Sequence, residues 1–503
     1  MTRKISIIGA VVSSMILFVA FPGLNQWYLV FIALVPLLLS LEDRRGFSAF
    51  GVGYLFGIHF TVLILYSIMN ITLAGFMMLI IYLSLYYGLF AFIYTYLRDN
   101  NIPVWISVPF IWTAMEIVMS LGFFGFTLLD LPHTLYRMPI LIQLASISGM
   151  WGLTFIIVLV NSLLFLSFRD MTRFSIKHLL SASIVIILLV SSGFLLRPDI
   201  NEGDRFRVAV IQGNIEQDVK WDSDYREITL RKFLNLTRAA ISSAKPDIVI
   251  WPETSIPFNL GEFSQDIGEV EKIAKDNGFY LLSGIPCVNY VGVKRFSYNS
   301  AILISNEGKF MGRYDKMHLV PFSERIPWQR EIPVLSKVME EASNFTEGRD
   351  RVIFGAGKAK FGVLICFESI FPEHSISYVR KGANLLVVIT NDAWFGRTTL
   401  PHLHASASCL RAVETHRWIA RCANTGVSTI IAPDGEIIKK TDIYVDTFLN
   451  GVVYLRSDIT FFVRHQLKIK IFFVIGVVLL LLYCFYNNLF SDKLRRFKFG
   501  RFR

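Results

Sequence analysis

Long apolar runs fill most of the first two hundred positions of the chain, and one more lies near its end. A helix that crosses a bilayer needs about 20 mainly apolar residues. Eight segments approach this length: 5–22, 27–41, 48–69, 72–97, 103–121, 139–168, 178–196 and 469–490. The pattern therefore predicts a polytopic α-helical membrane domain with about eight transmembrane helices.

Between residues 197 and 468 the pattern changes to short apolar runs separated by amphipathic stretches. The apolar runs predict strands at 206–214, 247–251, 279–285, 299–305, 361–366, 384–391, 428–435 and 451–455. Helices are predicted near 223–243, 265–276 and 402–421, and after residue 370. Strands that alternate with helices are typical of a layered α/β domain, in which reactive groups lie where strands end.

These patterns divide the chain into three parts. Residues 1–196 form an N-terminal membrane domain of about seven transmembrane helices, by the length that a span requires. Residues 197–468 form the α/β domain, and residues 469–503 form a last transmembrane helix with a basic tail.

Basic residues are unevenly distributed around the apolar segments. If every segment spans the bilayer, one side receives Arg3, Arg44, Arg98, Arg169 and the basic C-terminal tail, whereas the opposite short loops carry only Arg137. Cytoplasmic loops are enriched in lysine and arginine. The α/β domain is therefore predicted to lie outside the cytoplasm.

The net charge and the cysteine content of the chain limit the classes of partner and metal site that the sequence predicts. The net charge of +11 comes from 50 Lys and Arg residues against 39 Asp and Glu residues. We attribute it to membrane topology and to attraction for anionic lipid. Nucleic acid is not a predicted partner, because the α/β part has no basic stripe interleaved with aromatic residues. The five cysteines lack the spacing of a metal site.

Three residues with reactive side chains lie where predicted elements end. Glu253 follows strand 247–251 in "WPET", Lys316 lies in "GRYDKMHLVPFSE", and Cys366 ends the run "GVLIC". Taken alone, each has a simpler interpretation: a solvated loop carboxylate, an exposed lysine and a buried thiol. A helix that begins after Cys366 would favour the thiolate at its N-terminus.

Together the three side chains fit acyl transfer through a thioester. A cysteine thiol is only slightly ionised at neutral pH, so a carboxylate base such as Glu253 raises its reactivity. The ammonium of Lys316 and the backbone N–H of Phe367 can stabilise the oxyanion of a tetrahedral intermediate, by about 2.7–4 kcal/mol per donor in comparable sites. This chemistry makes Cys366 the predicted nucleophile.

Several motifs resemble known families. "WPET", "YDKMHLVPFSE" and "GVLICFES" place Glu253, Lys316 and Cys366 63 and 50 residues apart, in the order of the Glu-Lys-Cys triad of the nitrilase superfamily of carbon–nitrogen hydrolases. The stretches "QGNIEQDVKW", "SYNSAILI", "TNDAWFG" and "ASASCLRAVETHRWIARCANTG", with the apolar segments, resemble the apolipoprotein N-acyltransferase family. This resemblance covers essentially the entire chain, and it implies that the α/β domain is a nitrilase-like αββα sandwich.

The resemblance implies a membrane acyltransferase that works in two steps. A phospholipid such as phosphatidylethanolamine would acylate Cys366, and the N-terminal amine of a diacylated apolipoprotein would then take the acyl chain from the thioester. Glu253 is implied as the general base and Lys316 as the oxyanion stabiliser. The family implies a bacterial inner membrane location with the domain 197–468 facing the periplasm, and no metal or diffusible cofactor.

The motifs also imply supporting positions around the active site. These are Trp221, Glu324, Phe367, Glu368 and Trp394. Where the family usually has tyrosine after the nucleophile, this chain has Phe367, which keeps the ring and lacks the hydroxyl. The stretch 318–347 is expected to form a mobile lid over the acyl pocket, with an ordered surface loop as the alternative.

Other interpretations stay open at this point. A membrane-anchored amidase or nitrilase would use the same triad to hydrolyse a lipid-like amide with water as the acceptor, and an inactive domain would leave a membrane scaffold. Trp394 fits either the pocket wall or a core. His59 and Glu116 are costly within apolar segments and are functional candidates for that reason, although hydrogen bonding between helices is the favoured interpretation.

Overall fold

The computed structural model describes residues 3–169, 174–216, 226–256, 264–326 and 344–499. The N-terminal part is helical, because a helix satisfies its own backbone hydrogen bonds in an apolar environment. Its helices are α1 (Arg3–Ala20), α2 (Val35–Leu41), α3 (Gly46–Leu65), α4 (Leu73–Asp99), α5 (Val104–Met119), α6 (Pro139–Ile142), α7 (Ala145–Phe168) and α8 (Ile176–Leu196).

Length separates the apolar helical segments into two groups. Among the described residues, five segments are long and apolar enough to cross a bilayer: Gly46–Asn70, Leu73–Asp99, Ala145–Phe168, Ile176–Leu196 and Phe461–Leu489. Shorter apolar segments are Ile7–Ala20, Trp27–Leu41 and Val104–Met119. The chain is therefore a membrane protein with several long apolar helices, each at a position that the sequence pattern predicted.

The predicted segment 139–168 is interrupted near its start. α6 ends at Ile142, α7 begins at Ala145, and Gly149 takes a left-handed φ of 66° inside α7. A Cβ added to Gly149 would lie 2.3 Å from the ring of Phe462. Glycine is thus required both by the backbone conformation and by the close approach of that ring.

The strands of the described α/β part form two six-stranded sheets. They are β1 (Asp204–Gln212), β2 (Ile248–Ile250), β3 (Tyr280–Val291), β4 (Lys294–Ile304), β5 (Phe310–Asp315), β6 (Ile353–Ala356), β7 (Ala359–Ile365), β8 (Leu385–Thr390), β9 (Ile419–Ala423), β10 (Thr429–Ile431), β11 (Ile437–Lys440) and β12 (Thr447–Leu455). The strand orders are β12-β1-β2-β3-β4-β5 and β11-β10-β9-β8-β7-β6. β1 to β3 are parallel, as are β7 to β9, so their carboxyl ends share one edge of each sheet.

Buried apolar side chains join the two sheets into a layered domain. Between the sheets, Val210 and Ile250 share one core with Val363 and Ile389. Helices α9 (Arg226–Ser243) and α10 (Ser264–Asn277) cover the first sheet, and α11 (Pro372–Arg380) and α12 (Leu400–Thr415) cover the second. The α/β domain is therefore the nitrilase-like αββα sandwich that the resemblance implied.

The helix predicted at 402–421 ends earlier than expected. α12 stops at Thr415, His416 takes a left-handed φ of 50°, and the chain continues as β9. An apolar run that is buried on both faces does not reveal by its pattern whether it is a strand or a helix. Hydrogen bonding to β8 and β10 decides in favour of a strand.

The layer of α11 and α12 packs against the membrane bundle. Apolar residues of both helices belong to the same core as those of the bundle. Thr127 Oγ1 donates to the carbonyl oxygen of Ile370 at 2.9 Å, and His133 Nδ1 lies 2.9 Å from Ser406 Oγ. The last helix, α13 (Phe461–Phe499), follows β12 and packs on α5 and α7. The apolar packing and the hydrogen bonds together fix the α/β domain on the bundle.

Candidate active site

Cys366 lies at the point where β7 ends. Strand β7 finishes at Ile365, and Cys366–Ile370 form a short 3₁₀ turn. Cys366 has a left-handed φ of 52°, a conformation that costs a residue with a side chain about 1–3 kcal/mol. Ser369 Oγ donates to the carbonyl oxygen of Cys366 at 2.7 Å and helps to hold this conformation.

The thiol of Cys366 keeps its proton at neutral pH. Burial raises the pKa of the thiol, the carboxylate of Glu253 raises it further, and the ammonium of Lys316 opposes both effects only in part. Directly after Cys366 the structure has a single 3₁₀ turn where the sequence predicted the start of a helix. A nucleophile in this state needs a base at the moment of attack.

Glu253 is held in the turn that follows β2. Its Oε1 accepts from Asn299 Nδ2 at 2.7 Å, and its Oε2 accepts from the backbone N–H of Asn391 at 2.8 Å. Gly284 of β3 leaves room for this turn, since a Cβ added there would lie 2.6 Å from the Cα of Glu253. The carboxylate is thus buried and fixed in orientation.

Lys316 follows β5, and its side chain is 1% exposed. Its Nζ lies 2.8 Å from Glu324 and 3.7 Å from Glu253 Oε1. Burial alone lowers the pKa of Lys316, but the carboxylates of Glu324 and Glu253 raise it above its ordinary value. The side chain therefore stays an ammonium, which suits the stabilisation of an oxyanion.

Glu368 joins the nucleophile turn to the segment that carries Lys316. This fully buried carboxylate accepts from the backbone N–H of Met317 through Oε1 at 2.8 Å, and from that of Ile365 through Oε2 at 2.9 Å. Glu368 thus holds Lys316 at a fixed position relative to Cys366.

Phe367 faces aromatic neighbours with its ring. The ring centroids of Phe126, His318 and Phe371 lie 6.3, 5.6 and 5.1 Å away. Phe367 is the second residue of the turn. Its backbone N–H precedes the N–H groups that can bond to carbonyl oxygens within the turn. It is the backbone donor that the sequence predicts for the oxyanion.

A cavity of about 1250 Å³ connects these residues with the membrane helices. Its polar end is lined by Glu253, Lys316, Glu324 and Cys366. Its apolar end is lined by residues of α4 and of the preceding turn: Ile71, Met78, Leu79 and Tyr82. Pockets for small ligands are usually about 300–1000 Å³, so this cavity has room for a longer apolar molecule.

Trp394 belongs to the wall of this cavity and not to a core, because 37% of the residue is exposed. Phe367 and Glu324 line the cavity as well. Trp221 lies outside the described residues, and so do residues 327–343 of the stretch expected to form a lid.

Three residues of the site were not predicted from the sequence: Asn299, Asn391 and His404. Asn299 Nδ2 donates to Glu324 Oε1 at 3.0 Å as well as to Glu253. Asn299 and Asn391 stand in "SYNSAILI" and "TNDAWFG", and these motifs were the signal available in the sequence. His404, whose Nε2 lies 3.1 Å from the carbonyl oxygen of Cys366, directly precedes another such motif.

His59 and Glu116 make hydrogen bonds between helices and are absent from the cavity lining. His59 Nδ1 lies 2.5 Å from Ser14 Oγ, which joins α3 to α1. Glu116 Oε2 accepts from Thr154 Oγ1 at 2.5 Å, which joins α5 to α7. These contacts agree with the structural interpretation favoured for both residues.

Sequence comparison matches two family models on the chain. The Carbon-nitrogen hydrolase model matches residues 207–448, and the Apolipoprotein N-acyltransferase N-terminal domain model matches residues 13–163. The chain is 34% identical over 472 residues to the apolipoprotein N-acyltransferase of Geobacter metallireducens, covering 91% of each chain. It is 29% identical over 481 residues to that of Chlorobaculum tepidum, covering 89% of this chain and 90% of the relative.

A comparison of structures finds Saccharomyces cerevisiae Nit3, a member of branch 10 of the nitrilase superfamily. The TM-score is 0.41 at 18% identity, with coverage of 51% of this chain and 93% of Nit3.

Proposed function

Because the chain belongs to the apolipoprotein N-acyltransferase family, we propose that it transfers a fatty acyl chain from a phospholipid to the N-terminal amine of a diacylglyceryl-cysteine lipoprotein. The observation that carries this proposal is the cavity that joins Cys366 to helix α4. Moving a sixteen-carbon chain into water would cost about 12 kcal/mol, at about 0.8 kcal/mol for each CH₂. A cavity that continues into the membrane helices avoids this cost.

The first step acylates Cys366. Glu253 accepts the thiol proton while Sγ attacks the carbonyl carbon of the phospholipid ester. The oxyanion that forms is stabilised by the Lys316 ammonium and the Phe367 N–H. Collapse of this intermediate breaks the ester C–O bond, and the lysophospholipid oxygen takes the proton from Glu253.

The second step transfers the acyl chain to the acceptor. The lipoprotein amine attacks the thioester carbonyl, and Glu253 accepts a proton from the nitrogen. The same two donors stabilise the second oxyanion. Collapse then breaks the C–S bond, forms the amide, and returns the proton from Glu253 to Cys366. The raised pKa of Cys366 indicates that its resting form is the thiol, and this form is regenerated at the end of the second step.

The supporting residues divide into two groups in this proposal. Glu324 and Glu368 keep Lys316 in place through the contacts described above. Phe367 and Trp394 form part of the wall against which acyl chains lie. Trp221 keeps the active-site role that the family motif implies.

The arrangement of basic loops supports a bacterial inner membrane location with the domain 197–468 on the periplasmic side. Arg98 donates to the carbonyl oxygens of Leu41 and Arg44, and Arg169 pairs with Glu42, so these loops meet at one end of the bundle. Helix α5 starts near that end and runs to the loop that contacts the α/β domain. Basic loops are usually cytoplasmic, which leaves the α/β domain on the opposite side.

The proposal is tested with the full-length protein, phosphatidylethanolamine that carries a labelled acyl chain, and a diacylated lipopeptide. We expect a labelled thioester on Cys366 and, after lipopeptide is added, labelled N-acylated peptide. The Cys366→Ser variant should form no thioester. Release of labelled free fatty acid without peptide acylation would instead identify a hydrolase that uses water.

A further inference from the structure

One peptide unit carries both the carbonyl of Cys366 and the N–H of Phe367. A trans peptide is planar, so its C=O and N–H bonds point in opposite directions. Whatever fixes the carbonyl oxygen of Cys366 therefore also fixes the direction of the Phe367 N–H, which is the proposed backbone donor to the oxyanion.

Two side chains hold this carbonyl oxygen. Ser369 Oγ donates to it at 2.7 Å, and His404 Nε2 lies 3.1 Å from it and also 3.1 Å from Ser369 Oγ. Ser369 belongs to the same turn and moves with it. His404 comes from α12 and ties the turn to a separate element of the domain. Since a carbonyl oxygen only accepts hydrogen bonds, Nε2 carries the proton in this contact.

His404 is itself oriented by buried charged groups. Its Nδ1 lies 2.9 Å from Asp392 Oδ1, and Arg421 Nη2 lies 3.0 Å from Asp392 Oδ2 and 3.1 Å from Nδ1. The side chains of His404, Asp392 and Arg421 are at most 3% exposed. The imidazole is thus held in one orientation by Asp392 and Arg421, which do not line the cavity, whereas His404 itself does.

We propose that His404 is a positioning residue that aims the Phe367 N–H at the oxyanion by holding the carbonyl oxygen of Cys366. The bond to the carbonyl also polarises the peptide and makes its N–H a stronger donor. In this role His404 takes no proton from the thiol. Glu253 is the residue that removes this proton. The inference rests on the proposed acyl transfer, because the tetrahedral intermediates are what this donor stabilises.

Two substitutions of His404 separate this role from simple packing. The amide nitrogen of a glutamine reaches the position of Nε2, so His404→Gln keeps a donor for the Cys366 carbonyl. An asparagine reaches only the position of Nδ1, so His404→Asn loses that donor and keeps the contact with Asp392. His402→Asn, two positions earlier in α12, is the matched control.

Two reactions of Cys366 are compared in the full-length protein. Acylation by labelled phosphatidylethanolamine passes through an oxyanion, whereas alkylation by iodoacetamide displaces iodide and forms none. We expect His404→Asn to lower the acylation rate about 100-fold, as loss of an oxyanion donor does. KM for the phospholipid and the alkylation rate should change less than about threefold, because neither depends on that donor. His404→Gln should acylate within about tenfold of the wild type, since it keeps the donor, and His402→Asn should acylate at the wild-type rate.

Other outcomes overturn the inference. Wild-type acylation by His404→Asn would show that the carbonyl contact is dispensable. A parallel loss of acylation and alkylation would place the effect on the thiol, and equal losses in His404→Gln and His404→Asn would exclude the Nε2 donor. If the wild-type protein forms no acyl-enzyme at all, the proposed function fails and this inference fails with it.

Discussion

At the scale of single residues, Glu324 determines how the charges of the site are arranged. Its Oε1 accepts from Lys316 Nζ at 2.8 Å and from Asn299 Nδ2 at 3.0 Å, and Asn299 also donates to Glu253. One ammonium therefore lies between two carboxylates, of which the proposed mechanism uses only Glu253 as a base. In that mechanism Glu324 keeps the ammonium in place while Glu253 gains and loses its proton.

We predict that Glu324→Gln lowers the rate of Cys366 acylation by roughly 10- to 100-fold, because Lys316 loses its closest charged partner and the oxyanion loses a well-placed donor. Glu347→Gln is the control, because Glu347 is exposed and pairs with Arg325. Single-turnover labelling with phosphatidylethanolamine measures both rates. Equal rates for Glu324→Gln and the wild type would contradict the role given to Glu324.

The buried carboxylate of Asp392 makes stability depend on pH. Burial alone raises the pKa of Asp392, but His404 and Arg421 outweigh it and lower the pKa from 3.8 to about 2. Because the folded-state pKa is the lower one, this stabilisation is complete above pH 4 to 5 and is lost as the pH falls through about 2. It amounts to about 2 kcal/mol.

We predict that Asp392→Asn makes the free energy of unfolding less sensitive to acid. The variant is less stable than the wild type at pH 7, and the difference narrows as the pH falls from 5 to 2, because the wild type alone loses this carboxylate's contribution. Thermal unfolding of the detergent-solubilised protein across this range measures the change. Asp446→Asn, at an exposed position, should follow the wild-type curve. A constant difference at all pH values would contradict the prediction.

At the scale of elements, the contact between β3 and the turn after β2 sets the position of Glu253, the proposed base. Gly284 lies where a side chain would meet the backbone of Glu253 and Thr254, at 2.6 and 2.5 Å. The turn is already strained, since Thr254 has a left-handed φ of 48°. The base is thus positioned by the packing of two strands as well as by its hydrogen bonds.

We predict that Gly284→Ala lowers acylation by at least about tenfold, because a shift of about 1 Å in a catalytic group can cost as much as 100-fold. Gly268→Ala in α10 is the control, since a Cβ there meets open space and alanine favours a helix. Rates of acyl-enzyme formation compare the two variants. Wild-type acylation by Gly284→Ala would show that the turn can move without consequence.

Some of the elements around the site could be predicted from the sequence, and others could not. The strand before Cys366 is visible as an apolar run that ends at this residue, and Pro252 marks the end of β2. The change from α12 to β9 at His416 is not visible, because buried strands and buried helices share the same apolar composition. The contacts of His404 and Asn299 could not be predicted for a related reason. Their partners lie 38 and 46 residues away in the sequence, and the sequence pattern does not report such contacts.

At the scale of the whole molecule, the cavity is lined by two parts of the chain, the membrane bundle and the α/β domain. Cys366 and Lys316 come from the α/β domain, whereas Met78 and Leu79 come from α4. Neither part encloses the cavity alone. The length of acyl chain that fits should therefore depend on residues of the membrane bundle.

We predict that Met78→Trp shifts donor preference toward shorter acyl chains, because the larger ring fills part of the apolar end of the cavity. Met77→Trp is the matched control, since Met77 is 50% exposed on the outer surface of α4. Competition between phospholipids with long and short acyl chains measures the preference. The same chain-length profile in both variants would contradict the assignment of this end of the cavity to the acyl chain.

The residues of the proposed triad are distributed over two sheets, and this has a consequence for the nascent chain during its synthesis. Glu253 and Lys316 follow β2 and β5 of one sheet, whereas Cys366 follows β7 of the other and is synthesised after both. A nascent chain that ends after β5 holds the proposed base and the ammonium but not the proposed nucleophile. If Cys366 is the nucleophile as proposed, phospholipid cleavage requires the second sheet, and a half-made chain would not attack the bilayer into which it is being inserted.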